Sequence, residues 1–270
     1  MRAFDTVTDY HVHIERGPYT QEWLETFVAS SRKAGVTELG ISEHAYRFHQ
    51  TKHLLWNPWV ERKKTEDLDA YLGLLLDARA RGIQLKIGIE MDYMPDNGEA
   101  MKRFLAEHPF DYAIGSVHWL GGFGFDLDEM RDHWERGDVE EIHDTYFGIL
   151  EQMIEERPVD IIGHADVIKV FGFHAPRVAM AWYRRLTPKI KASGMAVEVS
   201  TAGWRKPVRE IYPAPEWLAM LVEAEVPLVL CSDAHRPEDV GAGYAQALDL
   251  LRALGVRRLH TVTARTLQPA

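Results

Sequence analysis

Seven short strand-like runs, each followed by a longer stretch of helical periodicity, constrain this chain more than any other feature. The runs fall at 5–13, 36–43, 84–92, 112–118, 159–165, 195–200 and 226–233. The helical stretches lie near 20–34, 61–81, 97–107, 138–156, 176–193, 215–224 and 238–254. Thr20, Asn97 and Pro215 stand near helix starts, and Gly35, Gly82, Gly194 and Gly255 stand just past ends, where such residues punctuate helices. Runs such as V-P-L-V-L-C lack the in-and-out alternation of a half-solvated antiparallel strand. They fit a parallel sheet covered on both faces, which repeated βα crossovers produce. Seven βα units make a (β/α) barrel the leading expectation and a doubly wound open sheet the alternative. No low-complexity linker or internal repeat divides the chain, so residues 1–270 are expected to form a single domain.

Composition narrows the function classes. The net charge of −10 argues against a sequence-independent nucleic-acid binder, which must neutralise phosphates with a basic surface. No apolar run approaches the roughly 20 residues of a membrane span, and the N-terminus shows no export signal. Cys231 is the only cysteine, which excludes an intrachain disulfide and favours the cytoplasm.

Thirteen histidines matter because of where they fall. The first run ends in His11 and His13, the second in Glu43 and His44, the third in Glu90, the fourth in His118, the fifth in His164, and the seventh in Asp233 and His235. In a parallel barrel all strand C-termini share one rim, so these residues converge on one cavity. Alternation along a strand aims both ligands of H-x-H, and both of D-x-H, the same way. One H-x-H alone is more often incidental than functional, but the conjunction points to metal. Glu90, after K-I-G-I, is a carboxylate at the end of a buried strand, which is costly to desolvate without a partner. A single zinc or iron takes three or four protein ligands, so this set suits two to three divalent ions, with Glu90 as bridge. His and carboxylate together suit Zn, Fe or Mn.

The motifs H-V-H (11–13), E-H (43–44), G-I-E (88–90), S-V-H (116–118), G-H-A-D (163–166) and S-D-A-H (232–235) resemble those of the PHP (polymerase and histidinol phosphatase) superfamily. They span nearly the whole chain in order. The resemblance implies a distorted (β/α)7 TIM-like barrel with a trinuclear metal site. It implies that His11, His13, Glu90 and Asp233 hold one metal, Glu90, His118 and His164 a second, and His44 with His235 a third. Many members carry T-x-x-S-D/H after H-x-H, where this chain reads I-E-R-G-P-Y. Glu15 is the candidate replacement ligand, and a solvated rim glutamate is the alternative. S-T-A-G-W-R-K-P (200–207) with E-I-Y-P (210–213) looks like the signature of the monofunctional histidinol-phosphate phosphatases.

That resemblance implies hydrolysis of L-histidinol phosphate, a step of histidine biosynthesis. The expected nucleophile is a metal-activated hydroxide at the Glu90-linked pair, with Asp233 or His235 as acid for the leaving alkoxide. No D-x-D-x-T or C-x5-R motif points to a covalent phosphoenzyme. Arg205 is the first candidate for gripping phosphate and Lys169 the second, with Arg16 and His53 behind them. Trp119, Phe171 and Trp204 are candidates for walling the imidazole end, and residues 45–60 for a specificity lid. Two other readings compete: a phosphoesterase acting on nucleotides or another small phosphate, and a non-catalytic metal-binding module. The expected partner is a small phosphate ester, not nucleic acid or membrane, with assembly into a homo-oligomer left open.

Overall fold

A computed structural model describes residues 4–269, so residues 1–3 and 270 of the expected domain lie outside the described residues. Seven strands form one parallel sheet in sequential order. They are β1 (Thr8–Asp9), β2 (Glu38–Ile41), β3 (Lys86–Asp92), β4 (Tyr112–Ser116), β5 (Ile161–Ile162), β6 (Ala196–Ser200) and β7 (Leu228–Cys231). A doubly wound sheet would reverse its strand order at a switch point, and this one does not. Instead the sheet curls until β1 meets β7. Thr8 Oγ1 donates to Leu230 O at 3.0 Å and accepts from Leu230 N at 3.1 Å. Above them His13 N donates to Ala234 O at 2.8 Å. Asp9 accepts from both the backbone N and the hydroxyl of Ser232, at 2.9 and 2.6 Å. The barrel is nearly closed, with a seam made partly by side chains.

Seven helices wrap it: α1 (Gln21–Lys33), α2 (Leu68–Ala80), α3 (Gly98–Ala106), α4 (Val139–Glu156), α5 (Pro176–Ser193), α6 (Pro215–Glu223) and α7 (Tyr244–Ala253). The single helix expected at 61–81 is two, Pro58–Lys63 and α2. Glu66 leaves helical geometry to pair with the backbone of Arg47 and His49, and Asp67 then caps α2 by accepting from Ala70 N at 2.9 Å. The helix expected from 238 starts only at Tyr244, because Gly241 and Gly243 sit at φ +68° and +81°. Among the described residues no helix is long and apolar enough to cross a membrane.

The main core lies between sheet and helices and includes Leu24, Phe27, Tyr71, Leu75, Met153, Leu186 and Trp217, all buried. A second, smaller core fills the barrel with Tyr10, Tyr112, Ile114, Ile161, Ala196, Val229 and Cys231. The Tyr112 ring fits only because Gly88 and Gly40 lack side chains, since a Cβ on either would come within 2.2 Å of it. A hairpin, His260–Thr263 with Thr266–Pro269, stops the lower end with Val262 and Leu267. Strand alternation sets which residues climb the inner face above this plug. The rows read Tyr112, Ile114, Ser116, His118 from β4, Ala196, Glu198, Ser200 on β6, and Gly88, Glu90, Asp92 on β3. Apolar or small residues give way to ligand-type residues toward the strand C-termini.

Candidate metal centre

Glu90 is the hub of the rim. It is fully buried, and neither carboxylate oxygen receives a hydrogen bond. Five imidazoles nevertheless approach it: His44 Nδ1 at 2.6 Å, His11 Nε2 at 3.2 Å, His164 Nε2 at 3.3 Å, His13 Nε2 at 3.6 Å and His118 Nε2 at 3.7 Å. Asp233 Oδ1 lies 3.2 Å from His235 Nε2 and 3.5 Å from His13 Nε2, and His118 Nε2 lies 3.3 Å from His164 Nε2. Donors held about 2.0–2.1 Å from one tetrahedral ion stand roughly 3.3 Å from each other. Most of these separations match that edge. Among the described residues, His11/His13/Asp233, His11/Glu90/His164, His13/His44/His235 and His13/Glu15/Glu43 are each compact enough to share an ion. An unpaired buried carboxylate is expensive, so the donor set fits divalent metal on its own physical terms.

The electrostatics agree. Burial alone would raise the Glu90 carboxyl, but His11, His44 and His118 hold it well below the usual range. Asp233 is lowered in the same way against its burial, by His11, His13 and His235. Burial opposes charge on His118, yet Glu90 and Asp92 push it up to about 10. For His13, Asp233 and Glu43 outweigh burial and push it up to about 9. His44 goes the other way, lowered by burial and by neighbouring His13.

Three histidines are held by carboxylates behind them. His11 Nδ1 donates to Glu198 at 2.7 Å, His118 Nδ1 to Asp92 at 2.7 Å, and His235 Nδ1 to Glu15 at 2.8 Å. Each bond fixes the tautomer and turns Nε2 toward the cluster, an arrangement that raises ligand basicity. Glu15 thus stands to His235 as Glu198 stands to His11. Glu198 and Asp92 were not among the expected site residues, although each carried a readable signal. Glu198 is a carboxylate inside the otherwise apolar run A-V-E-V-S, and Asp92 lies two residues past Glu90 on the same face.

A cavity of about 360 Å³ opens above the cluster, lined by His44, His118, His164, Asp233 and His235 at its floor. Of the expected phosphate-binding residues, Arg16 lines it and three do not. Arg205 Nη2 donates to the carbonyls of Ser232 (2.6 Å) and Asp233 (3.2 Å), which ties it to the turn beside the histidine cluster, while its Nη1 is buried without a partner. Asp233 has φ +50°, a left-handed turn that breaks the opposed carbonyl directions of a strand. One guanidinium can therefore reach both carbonyls. Lys169 is buried against Asp166 at 2.9 Å, Glu210 and the Ile211 carbonyl. His53 is exposed, with its ring beside Phe104 of α3. The cavity's other cations, Arg47 and Lys206, lie in loops whose course depends on tertiary contacts.

Trp119 and Phe171 line the cavity, whereas Trp204 packs over Gly243. Segment 45–60 contributes Tyr46, Arg47 and Trp59 to the wall. Lys64 Nζ holds it there, donating to Tyr46 O at 2.9 Å and to Thr51 Oγ1 at 3.2 Å. The 200–213 motif folds into a closed loop through reciprocal backbone bonds between Ser200 and Tyr212 at 2.7 and 3.1 Å. Gly203 is required there, because a Cβ would strike the Glu210 carbonyl at 1.8 Å. The loop seats Tyr212 and Lys206 on the cavity.

A parallel barrel with this cluster on its C-terminal rim matches a known class: the PHP domain family matches residues 9–202, and the chain belongs to that family. It is 31% identical over 266 residues to a Deinococcus radiodurans protein named "Probable histidinol-phosphatase", covering 97% of this chain and 98% of that one. A Bacillus subtilis histidinol-phosphatase is 25% identical over 265 residues, covering 89% and 98%. The fold superposes with TM-score 0.78 on a Lactococcus lactis histidinol phosphate phosphatase crystallised with zinc, L-histidinol and phosphate, at 19% identity and covering 97% and 99%.

Proposed function

We propose that this chain is a metal-dependent phosphomonoesterase that hydrolyses L-histidinol phosphate to L-histidinol and phosphate. The observation that carries the reading is Glu90, buried and unbonded among imidazoles at ligand spacing, with three of those imidazoles, His44, His118 and His164, lining a cavity sized for a small molecule. The named relatives, matched over almost their full length, support the substrate.

In this reading His11, His13, Glu90 and Asp233 hold one ion, Glu90, His118 and His164 a second, and His44 with His235 a third. Zinc is the first choice, with iron or manganese suited to the same donors. Glu15, Glu198 and Asp92 keep the histidines turned toward the ions. Divalent cations, when bound, lower the pKa of a water, neutralise phosphoryl oxygens and orient in-line attack. Arg16 and Lys206 meet the phosphate from the cavity wall, and the Asp233–His235 pair delivers the proton to the leaving alkoxide. The enzyme would act in the cytoplasm as a single PHP-type barrel on a soluble small molecule.

The test is phosphate release by purified protein from histidinol phosphate, p-nitrophenyl phosphate and nucleoside monophosphates, with bound metal measured in parallel. Histidinol phosphate is expected to give the highest kcat/KM with at least two ions per chain. Preference for a nucleotide, or absence of bound divalent metal, overturns the reading.

A further inference from the structure

The cavity is lined with charges of both signs, and their pairing differs. Of its carboxylates, Glu15 is bonded to His235, and Asp233 stands 3.2 Å from His235 and 3.5 Å from His13. Asp126 and Asp128 line the same cavity, and among the described residues neither side chain makes a hydrogen bond or meets a cation within 4 Å. Leu127 between them packs with Trp119, Trp59 and Tyr46 in a partly buried apolar cluster. That anchor, with Leu127 N donating to Gly124 O at 3.1 Å, holds the loop in place and commits its flanking carboxylates to the rim. Asp126 is half-buried and lines the cavity together with His118 and Trp119. Asp128 is exposed and solvated.

A cavity meant only for phosphate has no use for an unpaired carboxylate, which repels a dianion. A half-buried carboxylate is useful to a ligand that carries a cation a few bonds from its phosphate. From this charge arrangement we infer that Asp126 is a specificity residue that pairs with the ammonium group of the substrate, against the wall built by Tyr46, Trp59 and Trp119. The inference rests on the phosphatase reading and deepens it, by naming the residue that reads the substrate's ammonium group. Phosphate at the metals and ammonium at Asp126 together fix the substrate's direction in the cavity.

The test compares histidinol phosphate with its deamino analogue, 3-(imidazol-4-yl)propyl phosphate, in the wild-type holoenzyme, Asp126→Asn and Asp128→Asn. A site built to bind a polar group rejects the analogue that lacks it. The wild type is expected to prefer histidinol phosphate in kcat/KM by at least about 30-fold, and Asp126→Asn to bring that ratio within about threefold of unity, mainly through KM. Asp128→Asn is expected to keep most of the preference. An unchanged ratio in Asp126→Asn, or collapse in Asp128→Asn instead, overturns the assignment. If the wild type cleaves neither histidinol phosphate nor its analogue above p-nitrophenyl phosphate, the phosphatase reading fails and takes this inference with it. Circular dichroism and bound-metal content of each variant exclude misfolding as the cause.

Discussion

The two ends of the barrel both bury polar groups, and they differ in how those groups are satisfied. At the lower end Tyr112 donates to Tyr10 O at 2.6 Å, Tyr10 pairs with Glu38, Val262 N donates to Tyr10 at 3.2 Å, and Arg79 pairs with Asp111. At the upper end Glu90 Oε1 and Oε2, His11 Nε2 and both ring nitrogens of His13 are buried without hydrogen bonds. Protein supplies the partners below, and the upper end waits for partners from outside. Folding tolerates such a deficit only where a ligand repays it, so the contrast separates scaffold from site without reference to any relative.

The strongest way to break that contrast is Glu90→Gln. It should remove bound metal measured by elemental analysis and lower kcat on the order of 10³-fold, and retention of both would show that Glu90 is not a required ligand.

Removing metal with a chelator comes next. It should abolish turnover reversibly and cost about 3–4 kcal/mol of stability at metal levels 100 to 1,000 times Kd, read as a fall in Tm. The pH dependence has a defined sign. His13 and His118, raised to about 9 and about 10, carry protons in the metal-free protein at pH 7. Ligation requires those protons to leave, so metal uptake should release protons and tighten from about pH 6.5 toward 9, as titration in two buffers would show. Metal-free stability should move the opposite way. The protonated histidines contribute fully below their unfolded value near 6.5, and the contribution fades as pH passes 9 to 10.

A sharper cut comes from Asp92→Asn and Glu198→Gln, which leave the ligand sets intact but release His118 and His11. Each should weaken metal affinity or activity by about 10- to 100-fold, and no effect would reduce these carboxylates to packing.

The smallest effect belongs to the lower end. Tyr10→Phe should cost about 1 kcal/mol in denaturant unfolding and leave kcat/KM unaltered, and a large activity loss would mean the two ends are not separable.

The convergence on the rim was legible in the sequence because its histidines and carboxylates sit at strand ends in period-two spacing, where His11 and His13, or Asp233 and His235, declare a shared direction. The barrel was legible for the related reason that apolar strands and helices alternate without interruption. Strand limits were not: β1 and β5 pair over only two residues each. Arg205, Lys169 and His53 do not line the cavity, and nothing in the sequence warned of it, because charge in a loop says nothing of where the loop turns. Arg205 is drawn to carbonyls exposed by the left-handed Asp233, and Lys169 to Asp166 three residues behind it. Asp126 stayed invisible because an aspartate in G-F-G-F-D-L-D reads as a solvated turn until Leu127 is seen to anchor it.

The seam between β1 and β7 joins parts of the chain about 222 residues apart, such as Thr8 and Leu230. His11 and His13 lie on one side of it, and Asp233 and His235 on the other. A cation shared by the two sides would be a clasp closing one of the long loops in the molecule, whose closure entropy grows as the logarithm of its length. Amide exchange along Thr8–Asp9 and Leu228–Cys231 should slow more on loading than exchange in β3 or β4, and the last step of folding becomes the fastening of the two ends.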